Sequence, residues 1–227
     1  MKKLTLVHMV AVVLLACFCL TGCGKSFVIE NGVLTEYLGD KENVTIPKNV
    51  VMIGEGAFEE CKSIKTVTIP EGVESIGDSA FTHCINLTSV VIPESVTSIG
   101  DEAFYYCNKL DDLTVPESLK DIGDMAFSMC YGLEDDNGFI IVNGVLFEYN
   151  GAETELTIPD GVTRIGKYAF YSCINLKGVT IPKSVIRIDY SAFANCSSLT
   201  EVRIPESLTD IDENAFLNCP EYNIVVY

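Results

Sequence analysis

The chain has 227 residues, of which 48% are hydrophobic, and a formal net charge of −17. Its length and apolar content allow one large domain or two small ones with a sizeable core. The charge excludes nucleic acid and anionic lipid as natural partners, and favours cations or basic proteins.

The chain opens on a basic start, Met1-Lys2-Lys3, followed by an apolar run from Leu4 to Leu20 broken only by Thr5 and His8. Leu20-Thr21-Gly22 then places small residues before Cys23. A basic start, a short apolar stretch and a small-residue site mark a secretory leader over residues 1–22. This segment resembles a bacterial lipoprotein signal peptide with its lipobox. The resemblance implies that Cys23 becomes the mature N-terminus and carries lipid, with residues 23–26 as a short linker. Loss of Lys2 and Lys3 takes the net charge from −17 to −19. An uncleaved anchor is the alternative reading of the same run. Cys17, after Leu14-Leu15-Ala16, is less suited as the lipid site because Leu15 is bulky.

Residues 27–47 align without a gap on residues 139–159, at a constant offset of 112. Both segments read as strand, Asn-Gly turn and strand (Asn31-Gly32 and Asn143-Gly144), and Asn-Gly between β-rich runs is a strong hairpin signal. The first hairpin is expected to cover the N-terminal edge of the body behind it.

From residue 44 onward the chain is a repeat. Ile-Pro or Val-Pro begins at residues 46, 69, 92, 115, 158, 181 and 204, so the spacing is 23 except for one step of 43. Phe58, Phe81, Phe104, Phe127, Phe170, Phe193 and Phe216 keep the same spacing, and so do Cys61, Cys84, Cys107, Cys130, Cys173, Cys196 and Cys219. A fixed period in the twenties means a solenoid, whose units bury their apolar faces only against one another. In one unit, Val90 and Ile92 alternate inward with Ser89 and Val91 outward, a strand that Pro93 ends. Val96 and Ile99 face in again, and Gly100 turns the chain. Asp101–Cys107 then has Ala, Phe and Cys at helical spacing behind two acids, which predicts a helical or 3₁₀ turn.

The frame Leu/Ile-x-x-Val/Leu-x-Ile-Pro-x-Ser/Gly-Val/Leu-x-x-Ile-Gly/Asp-x-x-Ala-Phe-x-x-Cys recurs seven times between residues 44 and 227. It resembles the leucine-rich repeat, in its BspA-like subclass. The resemblance implies an α/β, right-handed leucine-rich-repeat solenoid: a parallel sheet on one face, short strands and helical or 3₁₀ turns on the other. The asparagine-ladder position of other subclasses falls on Asn49, Gly72, Ser95, Ser118, Gly161, Ser184 and Ser207, so asparagine-based turn bonding is not implied. The expected organisation is a single solenoid over 27–227. It divides into 27–138, a hairpin cap plus four repeats, and 139–227, a hairpin rung plus three repeats and a terminal strand. A hinge near Glu134–Gly138 is the alternative to a continuous stack. Tyr222, Val225 and Tyr227 restart the frame and are expected to close the far end.

Seven cysteines in one column cannot all pair within the chain. Stacked side chains also point in parallel at about 5 Å, where a disulfide needs converging Cβ atoms. They read as small buried hydrophobes with free thiols, and the ladder offers no tetrahedral closure for zinc.

Catalytic chemistry is thin. After the leader the chain has one histidine, His83, and no Walker loop, Gly-x-Gly-x-x-Gly or His-Glu-x-x-His. No cofactor is implied. Asp111, Asp112, Glu134 and Asp135 could stack into an acidic cluster. Asp111, Asp112 and Asp135 are then a weak Ca²⁺ candidate, against a solvated acidic patch, because no calcium-loop spacing is present. Outward positions of the sheet form the columns Thr45, Thr68, Val91, Thr114, Thr157, Thr180, Arg203, Val226 and Asn43, Thr66, Ser89, Asp112, Glu155, Gly178, Glu201, Ile224. Eight such strands give a face roughly 35–40 Å long. Candidate ligand-binding residues are therefore Thr66, Ser89, Asp111, Asp112, Glu134, Asp135, Glu155, Glu201 and Arg203. The family resemblance implies a lipid-anchored, surface-exposed adhesion or protein-binding module, not an enzyme. Its partner would be an extracellular or envelope protein, and it would touch the membrane only through its lipid. An envelope assembly or scaffold component without host contact is the alternative, and a carboxylate-based glycan-acting enzyme a further one.

Overall fold

A computed structural model describes residues 26–227. The leader and Cys23 lie outside the described residues. In chain order the first half contains β1 (Phe27–Glu30), β2 (Val33–Tyr37), β3 (Asn43–Thr45), β4 (Met52–Ile53), β5 (Thr66–Thr68), β6 (Ser75–Ile76), β7 (Ser89–Val91), β8 (Ser98–Ile99), β9 (Asp112–Thr114) and β10 (Asp121–Ile122). The second contains β11 (Phe139–Val142), β12 (Val145–Tyr149), β13 (Glu155–Thr157), β14 (Arg164–Ile165), β15 (Gly178–Thr180), β16 (Arg187–Ile188), β17 (Glu201–Ile204), β18 (Asp210–Ile211) and β19 (Asn223–Val226).

Each repeat is one rung with a longer strand before its Ile-Pro and a two-residue strand after it. The longer strands pair in parallel as β3-β5-β7-β9 and β13-β15-β17-β19. The short ones form β1-β2-β4-β6-β8-β10 and β11-β12-β14-β16-β18, each opened by an antiparallel hairpin. Asn31-Gly32 and Asn143-Gly144 close these hairpins with positive φ at both residues, as the turn type requires.

The expected helical turns are absent. Among the described residues the only helix is a 3₁₀ turn at Tyr131–Leu133. The reason lies in the backbone. Ser79, Glu102 and Met125 have φ between 52° and 55°, and His83, Tyr106 and Met129 between 59° and 60°. Two left-handed residues four apart break any helical ladder. The segment bonds sideways instead: the amides of Ser79, Phe81 and His83 donate to the carbonyls of Asp101, Ala103 and Tyr105 one rung on.

The Phe column fills the core, with all members from Phe58 to Phe193 fully buried. Rings stack at 4.8 Å from Phe58 to Phe81 and at 5.0 Å from Phe81 to Phe104, with interplanar angles of 10° and 7°. That separation is the inter-strand spacing, so the ladder sets the stacking. The cysteines are free thiols, and they have a second role. Cys84, Cys107, Cys130 and Cys196 each donate through Sγ to the preceding rung's Phe carbonyl, at 3.0–3.1 Å. Burial pushes the Cys84, Cys107 and Cys130 thiols far above their ordinary range.

Other ladders replace asparagine. Ser95 accepts from the Gly72 amide at 3.0 Å and donates to the Val73 carbonyl at 2.7 Å. Asp78 and Asp101 each accept the amide of the equivalent aspartate one rung on, at 2.8 Å. The glycine of each Ile-Gly turn permits this approach: a Cβ on Gly123 would lie 2.4 Å from the Asp101 amide nitrogen.

The two halves meet at the hairpin β11–β12. Its alternate residues serve two cores: Ile140, Val142, Val145 and Phe147 join the first, and Phe139, Leu146 and Tyr149 the second. Phe147 meets Phe127 edge-on at 5.6 Å, and Tyr149 passes the aromatic column on to Phe170 at 5.3 Å. The parallel ladders stop here, so there are four sheets and not two. Arg164 bridges the break: Nη1 donates to the Ile122 carbonyl at 3.0 Å, Nη2 to Asp124, and Nε to Asp189 at 2.5 Å.

The far end closes differently from the expected frame. Asn223, Ile224 and Val225 pair with Glu201, Val202 and Arg203, so the last rung runs one residue short. Asn223 and Val225, not Ile224 and Val226, continue the outward columns. Tyr222 covers Phe216 at 5.0 Å, but Ile224 and Val226 remain 55% and 56% exposed.

Candidate functional site

The outward face of the longer strands carries most of the expected residues. Thr66 Oγ1 donates to Asn43 Oδ1 and Ser89 Oγ to Asp112 Oδ2, both at 2.7 Å. On the second half the Glu155 carboxylate lies across Gly178, in space a Cβ would fill. Arg203 Nε donates to Glu201 Oε1 at 2.6 Å, and that bond, aided by Glu155, raises the guanidinium's already high value. The expected continuous face is thus two four-stranded patches, each spanning about 14 Å. One is neutral to acidic and the other bears an acid–base pair. Hydroxyl and carboxylate pairs across rungs leave donors and acceptors facing solvent, which suits recognition of a polar protein surface.

The acidic midsection does not gather into a cation site. Asp135 Oδ1 accepts the amides of Asn137 and Phe139, both at 2.9 Å, and so fixes the entry to β11. Glu134 Oε2 accepts from Asn150 Nδ2 at 2.9 Å. Asp111 and Asp112 are exposed. Among the described residues no three His, Cys, Asp or Glu side chains are placed to hold a metal ion. Asp111, Asp112 and Asp135, the weak Ca²⁺ candidate, are therefore not gathered into one such group, and Asp135 Oδ1 holds the backbone of its own turn.

A site not anticipated from the sequence lies on the turn face. The hairpin rung has no turn segment of its own, so a cleft of about 430 Å³ opens between the turns of the fourth and fifth repeats. Met125, Ser128 and Met129 form one wall, Tyr168 and Tyr171 the other, with Tyr105 at the rim and Phe147 and Glu148 at the floor. Glu148 Oε2 accepts the Met129 amide at 2.6 Å. Burial, with Glu134 adding to it, holds the Glu148 carboxyl above its ordinary range. The 43-residue step was the available signal, since two full rungs need 46 residues.

The parallel strands, stacked aromatic column and lateral turn bonding define a leucine-rich-repeat solenoid. Residues 29–139 and 140–226 match the BspA type leucine rich repeat region, in 6 copies, and the chain belongs to that family. It is similar to a leucine rich repeat protein of T. pallidum, with 29% identity and a TM-score of 0.52 over 79% of this chain and 77% of that one. It is also similar to a leucine-rich repeat protein from Bacteroides ovatus, with 29% identity and a TM-score of 0.49 over 93% of this chain. There it spans 53% of the other chain's length. No curated protein matches. Leucine-rich-repeat proteins are generally protein-interaction modules, and the fold is typically a non-enzymatic scaffold. Among the described residues no helix is long and apolar enough to cross a membrane.

Proposed function

We propose that this protein is a lipid-anchored cell-surface module that binds an extracellular or envelope protein on the outward face of its longer strands. One observation carries the reading: the outward positions Asn43, Thr66, Ser89, Asp112, Glu155 and Glu201 are polar, exposed or half-exposed, and change from rung to rung, while the inward positions beside them stay aliphatic. Thr66, Ser89, Asp112, Glu155, Glu201 and Arg203 are the contact residues, with Asp111 and Glu134 at the margin. A rigid, varied strand surface recognises one partner without reorganising, which limits the entropy lost on binding. Anchoring follows from Cys23, whose acyl chains would hold the body against the membrane through the few residues before β1.

The test is protease shaving of intact cells, followed by radiolabelled palmitate incorporation into the wild type and Cys23→Ser. Release of the body by protease and loss of label in the variant are the expected results. Label retained in Cys23→Ser, or a body untouched on intact cells but cleaved after lysis, would contradict surface anchoring.

A further inference from the structure

Elsewhere in the stack the turn amides donate to the next turn, as those of Tyr106 and Phe104 do to Ser128 and Ala126. The fourth turn has no such neighbour: the Ser128 and Cys130 amides bond within the turn, and the Met129 amide, which would point to the next turn, donates to the Glu148 carboxylate instead. The resulting cleft joins Tyr105, Tyr149, Tyr168 and Tyr171 to a half-buried acid. Tyr168 and Tyr171 meet edge-on at 5.8 Å, so the two rings offer differently oriented faces. Burial, and after it the charges of Glu102 and Glu148, disfavours phenolate formation at Tyr105, and burial followed by Glu148 does so at Tyr131. Among the described residues, no lysine or arginine forms an ion pair with Glu148. A carboxylate held at the floor of a tyrosine-lined cleft without a counter-ion is an incomplete ion pair.

We propose that this cleft binds a basic peptide segment of a partner protein, with a lysine or arginine side chain between Tyr105, Tyr168 and Tyr171 and its charge against Glu148. A cation there offsets the cost of burying the carboxylate, and the ring faces attract it further. A peptide also brings carbonyl oxygens to a wall where the Met125 amide has no turn above it. The overall charge of −17 steers basic partners toward the molecule. This site lies on the turn face and stands independently of the strand face.

The test uses the full-length chain purified in detergent and three acetylated, amidated pentapeptides, Gly-Thr-Lys-Thr-Gly, its acetyl-lysine version and Gly-Thr-Glu-Thr-Gly, titrated by isothermal calorimetry. The lysine peptide is expected to bind at least about tenfold more tightly than either other peptide. Glu148→Gln, whose amide oxygen still accepts from Met129, and Tyr171→Ala, at an exposed ring, are each expected to weaken it by a similar factor. Glu74→Gln, at an exposed residue outside both sites, should leave it unchanged. Thermal melts of each variant confirm that the fold is retained. Equal affinity for the three peptides, no saturation at millimolar peptide, or full binding by folded Glu148→Gln would overturn the proposal.

Discussion

At the scale of single residues, the turn segments rest on non-glycine residues in the left-handed region. Glu102, at φ 54°, is exposed and makes no side-chain hydrogen bond, so its conformation costs about 1–2 kcal/mol that is offset by its backbone bonds to Asp124 and Thr82 and not by its side chain. Glu102→Gly is expected to be neutral or stabilising by up to about 1 kcal/mol, and Glu102→Val destabilising by about 1–2 kcal/mol, in urea denaturation. The cysteine column makes a second prediction. Cys84, Cys107, Cys130 and Cys196 are buried and bonded, whereas Cys61, Cys173 and Cys219 are half-buried. In the folded protein a thiol reagent should modify the second set first, and the buried four only at the rate of unfolding. Modification of Cys107 as fast as Cys61 would contradict their burial. Inward residues were legible in the sequence because period and hydrophobicity agree at each of them. The left-handed residues were not: Ser79, Glu102, Met125 and Tyr168 share no side-chain chemistry, and the lateral bonds made by the Ser79 and Glu102 amides belong to the backbone alone.

At the scale of elements, the two hairpins show how one motif becomes a cap or a septum. Both place Phe, Leu and Tyr on the face toward the following rungs: Phe27, Leu34 and Tyr37 in one, Phe139, Leu146 and Tyr149 in the other. They differ on the opposite face, where Glu30 and Thr35 of the cap correspond to Val142 and Phe147 of the septum. The alignment at offset 112 made the duplication readable, and these substitutions carried the information that the second hairpin is covered on both sides. Phe147 is 2% exposed, so Phe147→Thr combined with Val142→Glu should cost at least about 3 kcal/mol. Calorimetry is expected to show the two halves unfolding in separate steps. The converse pair, Glu30→Val with Thr35→Phe, puts an apolar patch on the cap and should drive self-association, measurable by light scattering. A monomer at all concentrations would show that the outer face does not act as a cap.

At the scale of the whole molecule, the joint between halves is part apolar and part ionic. Asp189 is 1% exposed and takes charge from Arg164 and Arg187. Arg164→Met removes one of these and the bond to Ile122, so a loss of roughly 2–4 kcal/mol is expected. Burial alone would raise the Asp124 carboxyl, but the Lys167 hydrogen bond and the Arg164 charge outweigh it and hold it below its ordinary value of 3.8. A lowered carboxyl stabilises the fold above that value, and the contribution is lost as pH falls through the folded one. The melting-temperature gap between wild type and Asp124→Asn should therefore be full near neutrality and shrink below pH 3.8. The role of Asp135 was not legible at this scale, because spacing alone cannot show that its carboxylate is turned back onto its own turn. The strand positions were legible, except that the second hairpin divides the face into two sheets and that one residue fewer after Cys219 shifts the frame at the last rung.

The outward face of the longer strands, as the surface that holds the partner, is tested most directly by capture from envelope and matrix extracts. The baits are the wild type, Asp112→Arg/Glu201→Arg, and Lys62→Glu as a surface control. The expected result is a protein retained by the wild type and the control and lost from the double variant, with all three melting alike. An identical set captured by all three, or nothing captured by the wild type, would contradict it.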